Sequence, residues 1–300
     1  TVFRGHLFVQ DQLLSESGMQ HHPLTPMTDA NLVRVLQSQT GLNVGLLRYD
    51  TVSQGVDQVR ARIAKLRAQG IGMAIADALS DKDLYTLGAA CADLPLLTGG
   101  SGLALGLPEN FRRAGKLRDF DASKLPAVLG GEVVLAGSAS VATNGQVAAW
   151  LEAGRPALRI DPLALAAGEP VVSQALAFAR NNEQTVLIYA TSSPEEVKVV
   201  QHQLGVEQSG SLVENSFGEI AQGLRQSGVR RFVIAGGETS GAVVQALGVQ
   251  LLQIGAQIDP GVPATVSNTD EPLALALKSG NFGSRDFFSK ALTQLAGGAQ

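Results

Sequence analysis

Residues 231–247 read RFVIAGGETSGAVVQAL. The apolar run ending at Ala235 fits a strand buried on both faces, and residues 241–247 fit a helix. Between them lie Gly236, Gly237, Glu238, Thr239 and Ser240, a short loop in which glycine lets the backbone turn sharply or approach a ligand. Strand, glycine-rich loop and helix in that order form the repeating unit of α/β folds. The same order recurs upstream, where EVVLA (132–136) runs into GSASVATN and a helix over 144–153. It recurs downstream, where LALAL (273–277) runs into KSGNFGS and a helix over 285–295.

Working outward, strands are predicted at 157–160, 185–189 and 251–254, with helices at 171–180 and 212–226. In the first third, 43–49, 71–76 and 94–98 read as strands, and residues 1–9 as an opening strand. Residues 56–69 place Val56, Val59, Ile63 and Leu66 on one helical face. Ser80 and Asp83 have capping-box spacing for a helix through Ala92. This βαβαβ order implies a parallel sheet. The expected fold is therefore two α/β domains with mainly parallel sheets and a ligand cleft between them. Residues 1–107 form the first domain, a basic Pro/Gly-containing connection spans 108–130, and 131–300 form the second.

Composition excludes several classes. With 45% hydrophobic and 17% charged residues among 300, the chain can build sizeable cores. A net charge of −4 gives no general attraction to nucleic acid or to an acidic membrane surface. Cys91 is the sole cysteine, so no internal disulfide or cysteine metal cluster forms, and a reducing cytoplasm is the expected setting. No apolar run approaches the roughly 20 residues of a membrane helix. His6 and the pair His21-His22 lack chelating spacing, so no metal site is assigned to the protein itself.

Ligands of open parallel sheets bind beyond the carboxyl ends of the strands. Four loops stand there. Gly236–Ser240 precedes a helix whose first N–H groups suit an anion, and Glu238 suits a metal-bound water. It is not a Walker loop, because Ala242 rather than Lys follows Gly241. Ser138 and Ser140 offer hydroxyl donors after the upstream strand, against the alternative of an ordinary helix cap. Lys278 supplies a positive charge beside Gly280, against the alternative of a solvated surface lysine. In the first domain, Gly100, Ser101 and Gly102 suit the anionic end of a substrate, and Asp77 a hydroxyl, although a turn role suits Asp77 as well.

Five stretches then carry a resemblance: GHLFVQDQLLSESGMQHHPLTPMTDANLVRVLQ (5–37), ADALSDKDLYTLGAACADLPLLTGGSGLALGL (76–107), VLAGSASVATNGQV (134–147), FVIAGGETSGAVVQALG (232–248) and LALALKSGNFGSRDFF (273–288). Together they resemble the four-carbon acid sugar kinase family. The resemblance implies ATP-dependent phosphorylation of the 4-hydroxyl of a four-carbon sugar acid. 3-Oxo-tetronate is the favoured acceptor, with D-threonate and D-erythronate as alternatives. It places the sugar acid in the first domain and ATP, with Mg²⁺, in the second, on Ser138, Gly237, Glu238, Thr239, Ser240 and Gly280. Phosphoryl transfer needs mostly positioning and charge neutralisation, which such residues provide.

The family opens with an Asp-Asp-x-Thr-Gly-Ala motif that this chain lacks. A segment is therefore expected to be absent ahead of Thr1, carrying the catalytic carboxylate, and this chain alone is expected to bind nucleotide weakly and turn over poorly. No catalytic residue is assigned, and homo-oligomer formation is left open. Two other classes remain as readings. A nicotinamide-dependent oxidoreductase would use Asp161 on the ribose, but no G-x-G-x-x-G follows the strand at 132–136. A non-enzymatic sugar-acid sensor would share the fold and would not need ATP.

Overall fold

The computed structural model describes residues 1–21, 25–118, 121 and 123–297. His22, within the histidine pair considered above, and part of the connection at 108–130 lie outside them. The chain divides into two compact units, Thr1–Asp119 and Phe120–Gln300.

The first unit opens with a three-stranded meander of β1 (Val2–Phe3), β2 (His6–Val9) and β3 (Gln12–Leu13). The single strand expected over 1–9 is thus two, paired antiparallel with Phe3 opposite His6. Arg4 and Gly5 both have positive φ, the geometry of a two-residue hairpin turn. After α1 (Leu32–Gln37) come β4 (Asn43–Leu47), α2 (Tyr49–Val52), α3 (Val56–Ala68), β5 (Ile71–Ala76), α4 (Asp81–Ala90) and α5 (Pro108–Arg113). β4 and β5 are parallel, and Leu47, Val52, Val59, Leu87 and Ala90 form the core of this unit. The Ser80–Asp83 capping box is present at the start of α4.

The third strand expected at 94–98 is absent. Pro95 offers no N–H to a ladder, and Leu96 is 80% exposed. The unit therefore holds a βαβ crossover rather than βαβαβ.

The second unit is a seven-stranded sheet in the order β10-β11-β12-β9-β6-β8-β7. Its strands are β6 (Gly131–Ala136), β7 (Ala157–Arg159), β8 (Val186–Tyr189), β9 (Val229–Ala235), β10 (Leu252–Asp259), β11 (Val262–Ser267) and β12 (Ala274–Lys278). The five strands from β12 to β7 are mutually parallel, and β10 and β11 are antiparallel. The helices are α6 (Val141–Glu152), α7 (Pro162–Ala166), α8 (Val171–Arg180), α9 (Pro194–Leu204), α10 (Val206–Gln226), α11 (Gly237–Ala246) and α12 (Phe287–Gly297).

Alternation along the strands divides the core in two. Val134 and Ala136 of β6, with Val233 and Ala235 of β9, meet Val147 and Trp150 of α6 and Phe287 and Phe288 of α12. Val133, Leu135, Phe232 and Ile234 face the opposite way, toward Phe217 and Ile220 of α10 and Val243 of α11. Small strand residues on the first face leave room for the three aromatic rings. Each fully buried Leu, Val or Phe contributes roughly 1.5–3 kcal/mol.

Three further differences from expectation have local causes. β11 continues a hairpin turned at Pro260 and Gly261, so the strand expected at 251–254 is longer and has a partner the sequence reading missed. α9 begins with a capping box of Ser193 and Glu196 and with proline in its first turn. α11 starts at Gly237, four residues before the expected 241, which places Glu238, Thr239 and Ser240 inside its first turn.

Candidate functional site

The site begins with register. Ala136, Ala235 and Lys278, the final residues of β6, β9 and β12, lie side by side across three adjacent parallel strands. The loops that follow are therefore neighbours. Gly137 and Ser138 donate their N–H groups to the Ala235 carbonyl at 3.0 and 3.3 Å, and Gly236 donates to the Lys278 carbonyl at 2.9 Å. From these ends the chain parts. The β6 loop leads to α6 on the aromatic face, and the β9 loop leads to α11 on the other. A crevice opens where adjacent strands send their helices to opposite faces, and open α/β sheets bind ligands there.

Close packing fixes the three loops. Gly236 has φ +134°, and a Cβ there would lie 2.7 Å from Thr239 Oγ1. A Cβ on Gly280 would meet the Ser138 hydroxyl and the Ser140 side chain. Gly237 differs: a Cβ there meets nothing within 4 Å, so the backbone at the start of α11 borders open space. No side chain caps α11, and the N–H groups of its first turn have no partner within the helix. With the positive end of the helix dipole, they form an anion-accepting terminus. The Ser240 hydroxyl is buried without a hydrogen-bond partner. Glu238 is exposed beside it.

The other two loops are spent largely on each other. Ser138 Oγ accepts from Ser140 N at 3.2 Å, which leaves its proton to donate. Ser140 Oγ accepts from Thr143 N at 3.2 Å, capping α6, and donates to the Gly280 carbonyl at 2.5 Å. Thr143 Oγ1 donates to the same carbonyl at 3.0 Å. Lys278 is 1% exposed, so it is neither a solvated surface lysine nor a charge in direct reach of solvent. Its ammonium donates to Thr143 Oγ1 at 2.9 Å and to the Gly280 and Ser279 carbonyls at 3.0 and 3.2 Å. Burial pulls its pKa down to about 8.

Ser138, Gly236–Ser240, Lys278 and Gly280 thus come together beyond the ends of three adjacent strands. Thr143 and Gln146, buried on α6, were missed. The Gln146 amide donates to the carbonyls of Phe282, Gly283 and Ser284, each at 3.1 Å. Their spacing after Ser140, three and six residues on, was the available signal: it puts all three on one helical stripe.

In the first unit, Asp77 is fully buried. It accepts from the N–H groups of Arg4, Gly5 and Tyr49 at 2.8, 2.8 and 2.9 Å. It serves as an internal tie, and a ligand hydroxyl has no route to it. Gly100 and Ser101 are exposed and Gly102 half-buried, at the start of a 3-10 turn. A cavity of about 500 Å³ in this unit is lined by Tyr85, Leu105, Asn110 and Arg113 among others, but not by these three residues. Among the described residues no cluster of three or more His, Cys, Asp or Glu side chains is placed to hold a metal, and no helix is long and apolar enough to cross a membrane.

Residues 133–288 match the nucleotide-binding C-terminal domain family, and residues 1–107 match the sugar-binding N-terminal domain family. A protein of Pseudomonas fluorescens Pf-5 called 3-oxo-tetronate kinase is 83% identical over 99% of this chain and 69% of its own length. The chain belongs to the four-carbon acid sugar kinase family. Two crystal structures of family-like chains agree with the architecture. A Haemophilus influenzae protein is 42% identical with a TM-score of 0.68, covering 98% of this chain and 71% of that one. A Salmonella typhimurium LT2 protein, under the provisional description of a tRNA synthase, is 38% identical with a TM-score of 0.79, covering 97% of this chain and 69% of that one. The chain thus spans 69% to 71% of the length of these three relatives.

Within this kinase family fold the nicotinamide reading loses its footing. β7, which carries the chain to Asp161, is separated from β6 by β8. The Asp161 carboxylate accepts from Leu163 N at 2.9 Å as the cap of α7.

Proposed function

We propose that this chain is an ATP-dependent kinase acting on the 4-hydroxyl of a four-carbon sugar acid, with 3-oxo-tetronate as the acceptor. The observation that carries the reading is the row Ala136, Ala235, Lys278, which puts three Gly/Ser loops at the point where the helices diverge. The names of the similar proteins supply the acceptor.

The site's donors fit a polyphosphate. The N–H groups of Gly237, Glu238 and Thr239 lie in the first turn of α11, where Gly237 borders open space, the Ser138 hydroxyl has a proton to give, and the buried Ser240 hydroxyl is unpartnered. Mg²⁺ arriving with ATP would be held chiefly by the phosphates, since it binds through few carboxylates and keeps several waters. Glu238 is the carboxylate placed to hold one of those waters. In the first unit the backbone of exposed Gly100 and Ser101 and of half-buried Gly102 is assigned to the carboxylate of the acid. A nucleic-acid partner is not favoured, because a chain of net charge −4 offers no broad counter-charge to phosphates.

Titration of Mg·ATP by calorimetry, beside Gly237→Val and an NAD control, tests the site. Transfer of the γ-phosphoryl group of ATP to the 4-hydroxyl of 3-oxo-tetronate, D-threonate or D-erythronate, followed as ADP formation that depends on the acid, tests the reaction. ATP binding that weakens at least ten-fold in the variant supports the assignment. Binding indifferent to Gly237→Val places the nucleotide elsewhere, and NAD binding in preference to ATP ends the kinase reading. Binding of sugar acid with no response to ATP selects the sensor.

A further inference from the structure

The Gly280 loop is held from behind. Its carbonyls at Ser279, Gly280, Phe282, Gly283 and Ser284 all accept bonds from buried or half-buried side chains: Lys278, Ser140, Thr143 and Gln146. When one edge of a loop is bonded inward through its carbonyls, its opposite edge is left to face a ligand. Gly280 is also where a side chain would collide with Ser138 and Ser140.

Lys278 is the centre of this brace. It is the one charged group in it, it comes from the end of β12, and it reaches both the first turn of α6 and the turn of its own loop. Its acceptors are a hydroxyl and two carbonyls, and no carboxylate pairs with it among the described residues. Burying an unpaired cation is costly, so the site stores a positive charge that an anion on the loop's outer edge would compensate.

Resting on the nucleotide-site reading above, we infer that Lys278 is a positioning residue for phosphate binding: its charged ammonium, acting through Thr143 and the Gly280 carbonyl, holds the Gly280 loop in its binding shape and supplies the buried positive charge beneath it. Lys278 touches neither nucleotide nor acceptor in this arrangement. Other charged groups on the surrounding elements are engaged elsewhere or remote. Glu152 of α6 pairs with Arg285, Arg231 of β9 with Glu132, Arg230 of β9 with Glu271, and Lys290 of α12 with Asp259 and Asp286. Glu238 on α11 is exposed, and burial is the cause of the lowered Lys278 pKa.

The test is the pH dependence of Mg·ATP affinity, by calorimetry between pH 7 and 9.5, in the unaltered chain, Lys278→Arg and Lys278→Met. Phosphate groups are already fully ionised over most of this range. The free site loses the Lys278 proton as pH rises through about 8. If the charged form is required, affinity falls above that pH, by roughly ten-fold per pH unit, and binding takes up a proton. Lys278→Arg, always charged, binds with a flat profile. Lys278→Met binds at least ten-fold more weakly at pH 7, with a flat profile. Should Lys278→Met fail to fold, the profiles of the unaltered chain and Lys278→Arg decide alone. A flat profile in the unaltered chain with ATP binding intact overturns this inference and leaves the nucleotide site standing. Absence of ATP binding at every pH overturns both.

Discussion

The Thr239 side chain occupies the space in which a Cβ on Gly236 would lie, 2.7 Å from Thr239 Oγ1. Gly236 also sits at φ +134°, where side chains are strained whatever the space. The adjacent Gly237 has neither constraint. Two neighbouring glycines therefore answer different questions, one about folding and one about ligand approach.

Gly236→Ala should destabilise the second unit by more than about 1 kcal/mol, because alanine is forced to positive φ. Gly237→Ala should leave the melting temperature unchanged within experimental scatter. Thermal denaturation of both variants checks this pair. Equal melting temperatures would mean that the turn relaxes around Thr239.

Gln146→Leu should weaken Mg·ATP binding several-fold while the chain stays folded, since leucine is of similar size but releases the carbonyls of Phe282, Gly283 and Ser284. Calorimetry checks the affinity, and hydrogen exchange at Gly280–Ser284 checks the mechanism. Unchanged exchange with weakened binding would point to a direct role for Gln146.

Lys278 should also shape stability against pH, with the opposite sign to its effect on binding. Its folded pKa of about 8 lies below the ordinary lysine value of 10.5, so the unfolded chain holds the proton more tightly. Stability contributed by this group therefore rises from pH 8 toward 10.5 and is lost as pH falls through 8. The comparison is denaturant unfolding of the unaltered chain against Lys278→Met across that window, where the unaltered chain should gain up to a few kcal/mol relative to the variant as pH rises. A constant gap would show that the ammonium is not buried in a charge-averse setting.

Asp77→Ala should cost the first unit about 3 kcal/mol or more, since three backbone N–H groups lose a carboxylate acceptor and are left buried or half-buried. Mg·ATP binding by the second unit should persist. Domain-resolved hydrogen exchange checks both statements. Full stability with a raised KM for the sugar acid would return Asp77 to the substrate site.

What the sequence disclosed and what it hid follow from the range of the interactions involved. The buried runs VVLA, FVIA and LALAL, each followed by Gly or Ser, announce parallel strands and their loops because both signals are local. The positions of the loops that carry Ser138, Gly236–Ser240 and Gly280 were legible for the same reason. Residues 94–98 look equally apolar, but Pro95 removes a ladder donor, and the composition of a run does not reveal whether a partner strand exists. The 252–267 hairpin carried a Pro-Gly signal at 260 and 261 that was local and was overlooked. Lys278 was visible as a residue, but not its burial, which depends on α6 covering it from 135 positions away. Thr143 and Gln146 stayed hidden because the carbonyls they hold lie 136 to 138 residues further along.

The alternation of Val133, Val134, Leu135 and Ala136 between two faces has a consequence for how such an enzyme can be altered. Inserting one residue within β6 would exchange its alanine and leucine faces, pushing Leu135 toward Trp150 and leaving a hollow over Phe217. The same slip would carry Ser138 past the end of its row. A designer seeking a new nucleotide or acceptor preference is therefore free to rewrite the letters beyond Ala136, Ala235 and Lys278, but must leave the lengths of the three strands untouched.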